Sequence, residues 1–341
     1  MRNRQRAGRA RAGILARKDR GSDLALLQRL SDGTFHSGEA IARHLGISRT
    51  AVWKRMAALG KSGVEVYAVK GKGYRLADPV EWLDAGRIRQ GLARDVVRRI
   101  VGLDVLFRTT STNDYLLSGH GPHGRVVLSE FQTAGRGRRD SRWISRPGAG
   151  ICLSLGWSFD PAPASLMLLS LLSGAAVLRA LLRCGISAAG LKWPNDVVFG
   201  GRKLGGILIE STGQVAGPIE TVLGVGINHR LSEEARTAIN QPAASLADTG
   251  GPLPSRNKLA TELINSMVRM LVAVAAGNHA EYLHEWRKHD TGRGKMACLR
   301  LPGRELRGRI VDIDSAGMLM MQINGKLQKF SSGELSLRIA S

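Results

Sequence analysis

The apolar residues of this 341-residue chain change their period near residue 80. Before that point, "LALLQRL", "SGEAIARHL" and "TAVWKRMAAL" repeat apolar side chains every third or fourth position, the pattern of short amphipathic helices. Beyond about residue 85, "RVVLSEFQ", "GICLSLGWSF", "DVVFGGRKLGGILIES" and "TVLGVGIN" read as strands. A long apolar helix over 165–184 and another after Ser255 lie among them. One layer pattern cannot satisfy both textures. The switch therefore predicts an α+β multidomain chain, and its length suits two or three domains. We expect a basic disordered tail over 1–21, a winged helix-turn-helix over 22–79, one α+β domain over 85–290, and a small β-barrel over 295–341.

The first folded segment carries its own punctuation. Asp32-Gly33 stops the first helix, Gly46 permits a tight turn after the second, and Ser48 is placed to cap the third. Val52, Met56 and Leu59 share one face of that third helix, leaving Arg49, Thr50, Lys54 and Arg55 off it. Two alternating strands around Lys70–Gly73 then make a wing with Lys70 and Lys72 near its tip. Ser48, Arg49, Thr50, Lys54, Arg55, Lys70 and Lys72 are the expected DNA contacts, cations meeting phosphates and the helix meeting base edges.

The formal net charge is +22, of which residues 1–20 carry +7, residues 21–79 carry +4 and the rest is diffuse. Such a balance predicts attraction to polyanions, whether nucleic acid, anionic membrane or polyphosphate ligands, while its diffuseness favours a generally basic background over one dedicated patch. Cys152, Cys184 and Cys298 have no paired spacing, which argues for a reducing compartment and against a zinc site or a disulfide framework. The stretch from Ser165 is broken by Arg179 and Arg183 and reads as too short to span a bilayer, so we expect a cytoplasmic protein with no membrane partner.

Four segments of the central domain carry chemistry. "FRTTSTND" sets Ser111, Thr112 and Asn113 after an apolar strand, to cap a helix or meet a polar ligand. In "FQTAGRGRRDSRW" the glycines let backbone approach a ligand and the arginines neutralise oxygens, yet no Walker lysine follows. "LKWPNDVVFGGRKLGGILIE" gathers Lys192, Asn195, Asp196 and Lys203 around a turn made by Pro194, a set suited to phosphate and a magnesium shell. "VLGVGIN" leaves a strand bare of side chains at Gly224 and Gly226, where a flat ligand could lie.

Taken together and in this order, the four segments resemble the biotin protein ligases, and with the winged helix the bifunctional branch that also represses biotin genes. The resemblance covers the chain from residue 22. It implies a catalytic domain like that of class II aminoacyl-tRNA synthetases and an SH3-like C-terminal barrel. It further implies activation of biotin by ATP with Mg²⁺, then transfer to a lysine of the biotin carboxyl carrier protein of acetyl-CoA carboxylase. Biotinyl-5′-AMP would be co-repressor on operator DNA through a homodimer.

By position, the resemblance assigns biotin binding to Ser111, Thr112, Asn113, Gln132, Arg136, Gly137, Arg138, Lys203, Gly206, Gly224 and Ile227. It gives catalysis to Arg136, Arg138, Lys192 and Lys203, and the nucleotide and metal to Lys192, Asn195, Asp196 and Asn228, with Asn195 and Asp196 as magnesium ligands. Asp140 departs from the glycine many relatives carry. A ligase with a non-regulatory winged helix, and a ligand-sensing transcription factor without ligase activity, remain as alternatives. A lipoate ligase is the nearest enzymatic rival.

Overall fold

The computed structural model describes residues 23–339 apart from 62, 120–121, 140, 214–216, 302–303 and 332–335. The expected tail over 1–21 and the departure at Asp140 lie outside the described residues. Helix α1 covers residues 23–29, α2 Gly38–Leu45 and α3 Arg49–Lys61, followed by the hairpin β1 (Val66–Val69) and β2 (Gly73–Leu76). Gly46 closes α2 in the left-handed region at φ 65°, a conformation that makes the turn into α3. The Ser48 hydroxyl accepts from Ala51 N at 3.1 Å and caps α3 as expected.

The central domain opens with α4 (Ala85–Gly91), α5 (Arg94–Val97), β3 (Gly102–Thr109), α6 (Thr112–Leu117), β4 (Arg125–Gln132) and β5 (Gly150–Phe159). It continues through α7 (Leu169–Arg183), β6 (Gly190–Lys192), β7 (Asp196–Phe199), β8 (Arg202–Gly213), β9 (Ile219–Asn228), α8 (Glu233–Ala238), α9 (Arg256–Ala275) and α10 (Ala280–Lys288). Its seven strands run in the order β3-β4-β5-β9-β8-β7-β6, with β3 and β4 parallel and the other pairs antiparallel.

Strand alternation decides where a site can lie. Ile151, Leu153 and Leu155 of β5, with Leu223, Val225 and Ile227 of β9, pack into one large core with α4, α7, α9 and α10. The intervening Cys152 and Ser154 and the bare Gly224 and Gly226 therefore face away from that core, toward the side covered by α6. The helical stretch Ala164–Arg183 is 20 residues with mean hydropathy 1.9, so the expectation that it is too short to cross a membrane is corrected. Instead, 72% of its most apolar 18-residue window is buried within the protein, where it serves as the core helix.

Five further strands, β10 (Met296–Leu301), β11 (Arg304–Ile313), β12 (Leu319–Ile323), β13 (Lys326–Phe330) and β14 (Ser336–Ile339), form an antiparallel C-terminal sheet. The winged segment is tied to the central domain through the linker after β2. Arg256, 2% exposed, donates from Nη1 to Glu81 O at 2.7 Å and from Nη2 to Glu130 at 2.6 Å, while Leu83 N donates to Glu130 at 2.6 Å. Removing one partner of such a buried pair costs about 3–5 kcal/mol, so this clamp fixes how the linker enters the sheet.

Candidate active site and DNA-reading face

The cleft on the α6 side of the sheet begins with a buried polar floor. Ser111 caps α6, its hydroxyl accepting from Asp114 N at 3.4 Å. Gln132 Oε1 accepts from Thr112 N at 2.8 Å and from Thr112 Oγ1 at 3.1 Å, which leaves the Gln132 amide nitrogen available to the cleft. Asn113 Nδ2 donates to Leu208 O at 3.3 Å and to Glu210 at 2.8 Å, and its Oδ1 lies 2.5 Å from Ser154 Oγ. Ser111, Thr112, Asn113 and Ser154 are all at most 4% exposed. A buried network this fully paired is rigid.

Cations gather at the other end. Lys203 Nζ pairs with Asp196 at 2.7 Å, and Lys192 approaches the same carboxylate at 3.9 Å. Burial lowers the Lys192 pKa, Asp196 opposes that, and the positive charges of Lys203 and of Arg338 on β14 add to the lowering. Burial and repulsion from Arg139 likewise lower Arg138, with Asp196 pulling the other way. One carboxylate thus faces both lysines, whose combined charge exceeds its own.

Arg136 is arranged differently from the expectation. Its guanidinium is already neutralised, donating to Asp114 at 2.5 Å and Glu210 at 2.7 Å. Burial works against its charge, but the two carboxylates outweigh it and raise its pKa. The loop glycines also act otherwise than expected: a Cβ on Gly137 would strike Ser141, and one on Gly135 would come within 2.5 Å of Trp143 O. They admit the loop's own returning strand, joined by Gly137 N to Ser141 O at 2.7 Å and Trp143 N to Gly135 O at 2.9 Å. The bare stretch of β9 is likewise occupied from within. A Cβ on Gly226 would lie 2.5 Å from the Trp143 indole, and one on Gly224 would strike Asn113.

Of the residues assigned to biotin, Ser111, Thr112, Asn113, Gln132, Arg136, Gly137, Arg138, Lys203, Gly206 and Gly224 all line one narrow cleft of about 50 Å³. Ile227 is the correction. It alternates with Gly226, packs into the helical core at 1% exposure, and borders a neighbouring cavity instead. Asn195 reaches the cleft with its Nδ2 donating to Ile207 O at 2.7 Å, whereas Lys192 and Asp196 stand behind Lys203 rather than in the lining. No cluster of three or more metal-ligating side chains occurs among the described residues.

The neighbouring cavity, about 500 Å³, meets the cleft at Trp143 and Cys152. Asn228 lines it and holds its wall, donating to Ala244 O at 2.9 Å. His229 also lines it, with Nε2 on Pro254 O at 2.7 Å, and burial pushes its pKa down to about 4. Gly63 and Glu65 of the winged segment and Val80 of the linker close one side, against Arg146 of the loop after Trp143. Arg146 Nη1 donates to Ser232 Oγ at 3.0 Å and stands 3.9 Å from Glu65 and 3.8 Å from Glu234.

On the winged segment, Arg49, Thr50 and Lys54 are exposed along α3, and Lys70 and Lys72 are exposed at the wing. Ser48 spends its hydroxyl on the cap. Arg55 is half-buried beside Met56, off the exposed face. The reading from sequence passed over Trp53, which is 61% exposed on that face. It also missed Asp114, Ser154, Glu210 and Arg256, whose roles arise from contacts between distant segments.

A polar floor, a cationic mouth and an adjoining cavity define an acid-activating ligase site, here joined to a helix-turn-helix. Residues 105–228 match the model of the biotin/lipoate A/B protein ligase family, 23–75 match an HTH domain and 297–338 match a biotin protein ligase C-terminal domain. The chain is 37% identical over 325 residues to the bifunctional ligase/repressor BirA of Salmonella typhimurium, covering 95% of this chain and 99% of that one. It is 30% identical over 317 residues to the protein of the same name from Bacillus subtilis, covering 92% and 98%. A biotin protein ligase from Aquifex aeolicus, in complex with biotin and ATP, superposes with a TM-score of 0.61 at 24% identity, over 71% of this chain and all of that one, and supports the fold. The chain belongs to the biotin protein ligase family, within its bifunctional ligase/repressor branch.

Proposed function

We propose that the protein activates biotin with ATP and transfers it to a lysine of a biotin carboxyl carrier protein. We further infer that it represses biotin biosynthesis genes by binding operator DNA, with the adenylate as co-repressor. The observation that carries the enzymatic reading is the pairing of the Thr112–Asn113–Gln132 floor with the Lys203–Arg138 mouth, with Lys192 behind it. A ureido ring has donors and an acceptor, which suits a floor of hydroxyls and amides better than the apolar dithiolane of lipoate would. The carboxylate at the other end of biotin would then meet the cations.

In the first step a biotin carboxylate oxygen attacks the α-phosphorus of ATP and the bond to the β-phosphate breaks, releasing pyrophosphate. Two anions must be held together, so fixed positive charge contributes most of what the protein has to supply. Lys203 stands where both anions would converge, and Lys192 and Arg338 extend the field toward the leaving pyrophosphate. In the second step the carrier lysine amine attacks the acyl carbon and AMP leaves. The cavity beside the cleft would take the nucleoside, with Asn228 at its wall. The donor set fits magnesium only as a shared ion, since the Asp196 carboxylate, already paired with Lys203, and the Oδ1 of Asn195 offer at most three oxygens and phosphates and water must complete its shell. When bound, the ion would neutralise the pyrophosphate.

Entry of a bicyclic ligand requires Trp143 to leave Gly226 and Arg136 to shift from its carboxylates, which assigns the 133–143 loop a closing role. We assign Arg136 and Arg138 to ligand closure, Lys192 and Lys203 to charge neutralisation, and Arg49, Thr50, Lys54, Lys70 and Lys72 to DNA. The central fold is read as class II synthetase-like and the C-terminal sheet as SH3-like. A homodimer formed on adenylate binding, and a cytoplasmic location without a membrane partner, complete the reading.

The test is pyrophosphate–ATP exchange with magnesium, comparing biotin, lipoate and no acid. Exchange with biotin alone is expected. Exchange with neither acid from folded protein would overturn the ligase reading.

A further inference from the structure

Six tryptophans occur in the chain, and five of them pack into the fold. Trp82, Trp157, Trp193 and Trp286 are at most 8% exposed, and Trp143 is half-buried over Gly226. Trp53 alone is exposed, at 61%. It sits one turn after Arg49 and Thr50, beside Lys54, and one turn before the small Ala57, all exposed. The opposite face of α3 is fully occupied, since Val52, Met56 and Leu59 are buried in the winged core. The indole therefore cannot turn inward without displacing that core.

Leaving so large an apolar ring in water forgoes the burial its size offers, and the neighbouring Arg49 and Lys54 call for an anionic partner to cover it. Cations on both sides and a small residue above it suit a surface that is anionic at its edges and apolar at one point inside. The major groove has that character. Phosphates line its rims, and the only apolar group on its floor is the thymine 5-methyl. Helix-turn-helix proteins place the N-terminal part of the second helix against base edges, and Trp53 lies in the first half of the 13-residue α3.

We propose that Trp53 is a specificity-determining residue that packs against a thymine 5-methyl group in the operator half-site. The cations position the helix on phosphates, while the indole supplies discrimination among bases. This inference rests on the operator-binding reading, and the experiment separates the two failures.

A duplex is first selected from a random pool by the full-length protein with biotin and ATP present. Each thymine in the selected half-site is then replaced singly by uracil, which removes only the methyl group. Loss of one methyl contact is expected to weaken wild-type binding about 3-fold at one position, and Trp53→Ala to weaken the thymine duplex about 10-fold. The signature is loss of coupling: in the Trp53→Ala protein that same uracil substitution should change nothing. Unchanged melting of the variant, followed by circular dichroism, controls for folding.

Uniform weakening on selected and unrelated duplexes alike would make Trp53 a backbone contact and overturn the proposal. Unchanged affinity in the variant would place the indole outside the interface and overturn it as well. If selection enriches no sequence at all, operator binding itself fails, and the methyl-reading role falls with it.

Discussion

The cleft and the recognition helix spend their charges in opposite ways. In the cleft nearly every polar group already has a partner: Asn113 and Arg136 share Glu210, Thr112 binds Gln132, and Lys203 holds Asp196. On α3 the side chains that would touch DNA project into solvent. The difference follows from the ligands each is proposed to meet. A small ligand must be enclosed, so its groups have to be pre-set by neighbours, and unpaired polar atoms in a closed site are costly. A duplex brings its own field and its own water, so exposed cations on a rigid helix suffice.

The same difference decides what could be read from the residues alone. The helices and hairpin of the winged segment were legible as elements, because one helical period, one capping serine and two turn glycines lie in a single continuous stretch. What that reading weighed was charge. Attention to cations included the half-buried Arg55 and passed over Trp53. In the central domain the strands and the four polar segments were legible as pieces, and their joint order carried the family resemblance. Their mutual geometry was not. Glu210 lies 97 residues from Asn113 and 74 from Arg136, and Glu130 lies 126 from Arg256, so no local period marks these contacts. Ile227 was misplaced for a related reason: a strand reverses face at each residue, and the register of β9 against the helices is settled by packing.

If fixed charge dominates the cleft, its removal should give the largest effect in the molecule. Replacing Lys203 by Gln takes out the cation nearest the proposed meeting point of carboxylate and phosphate and leaves Asp196 without its 2.7 Å partner. Biotin-dependent pyrophosphate exchange is expected to fall by about 10²–10³-fold, the range for losing one pre-set electrostatic group. Exchange rates from stopped assays at saturating biotin check it, and a loss below threefold would move the charge-neutralising role elsewhere. Operator affinity measured without ligand should not respond.

The converse substitution sharpens the contrast. Arg49→Gln with Lys54→Gln removes two exposed cations from α3 and touches nothing in the cleft. Affinity for the selected duplex is expected to drop by about 30-fold, and the slope of log affinity against log salt to shrink by about 2, one ion for each lost phosphate contact. Binding titrations at several salt concentrations read both quantities, with pyrophosphate exchange unchanged alongside. A lost affinity with an unchanged slope would mean that these side chains do not meet phosphates.

The smallest effect is expected where the two regions touch, and it tests whether they are separable at all. Arg146 packs its stem on Gly63 and aims its guanidinium between Glu65 of the winged segment and Ser232 before α8, at the wall of the 500 Å³ cavity. Its carboxylate contacts are long and partly exposed, so each contributes at most about 1 kcal/mol, and the Michaelis constant for ATP in Arg146→Ala should rise only about 2- to 5-fold. The Michaelis constant for biotin should hold, because the cleft lies on the far side of Trp143. What distinguishes a charge link from general loosening is reversal. Glu65→Arg and Arg146→Glu should each impair ATP use, and the double variant should recover part of it, because the pair is restored across the same gap. Recovery would mean that the winged segment takes part in shaping the nucleotide cavity, so that one wall belongs to both regions. Additive impairment would leave the cleft and the DNA-reading face as independent devices on one chain, joined through the linker and its Arg256 and Asn257 contacts.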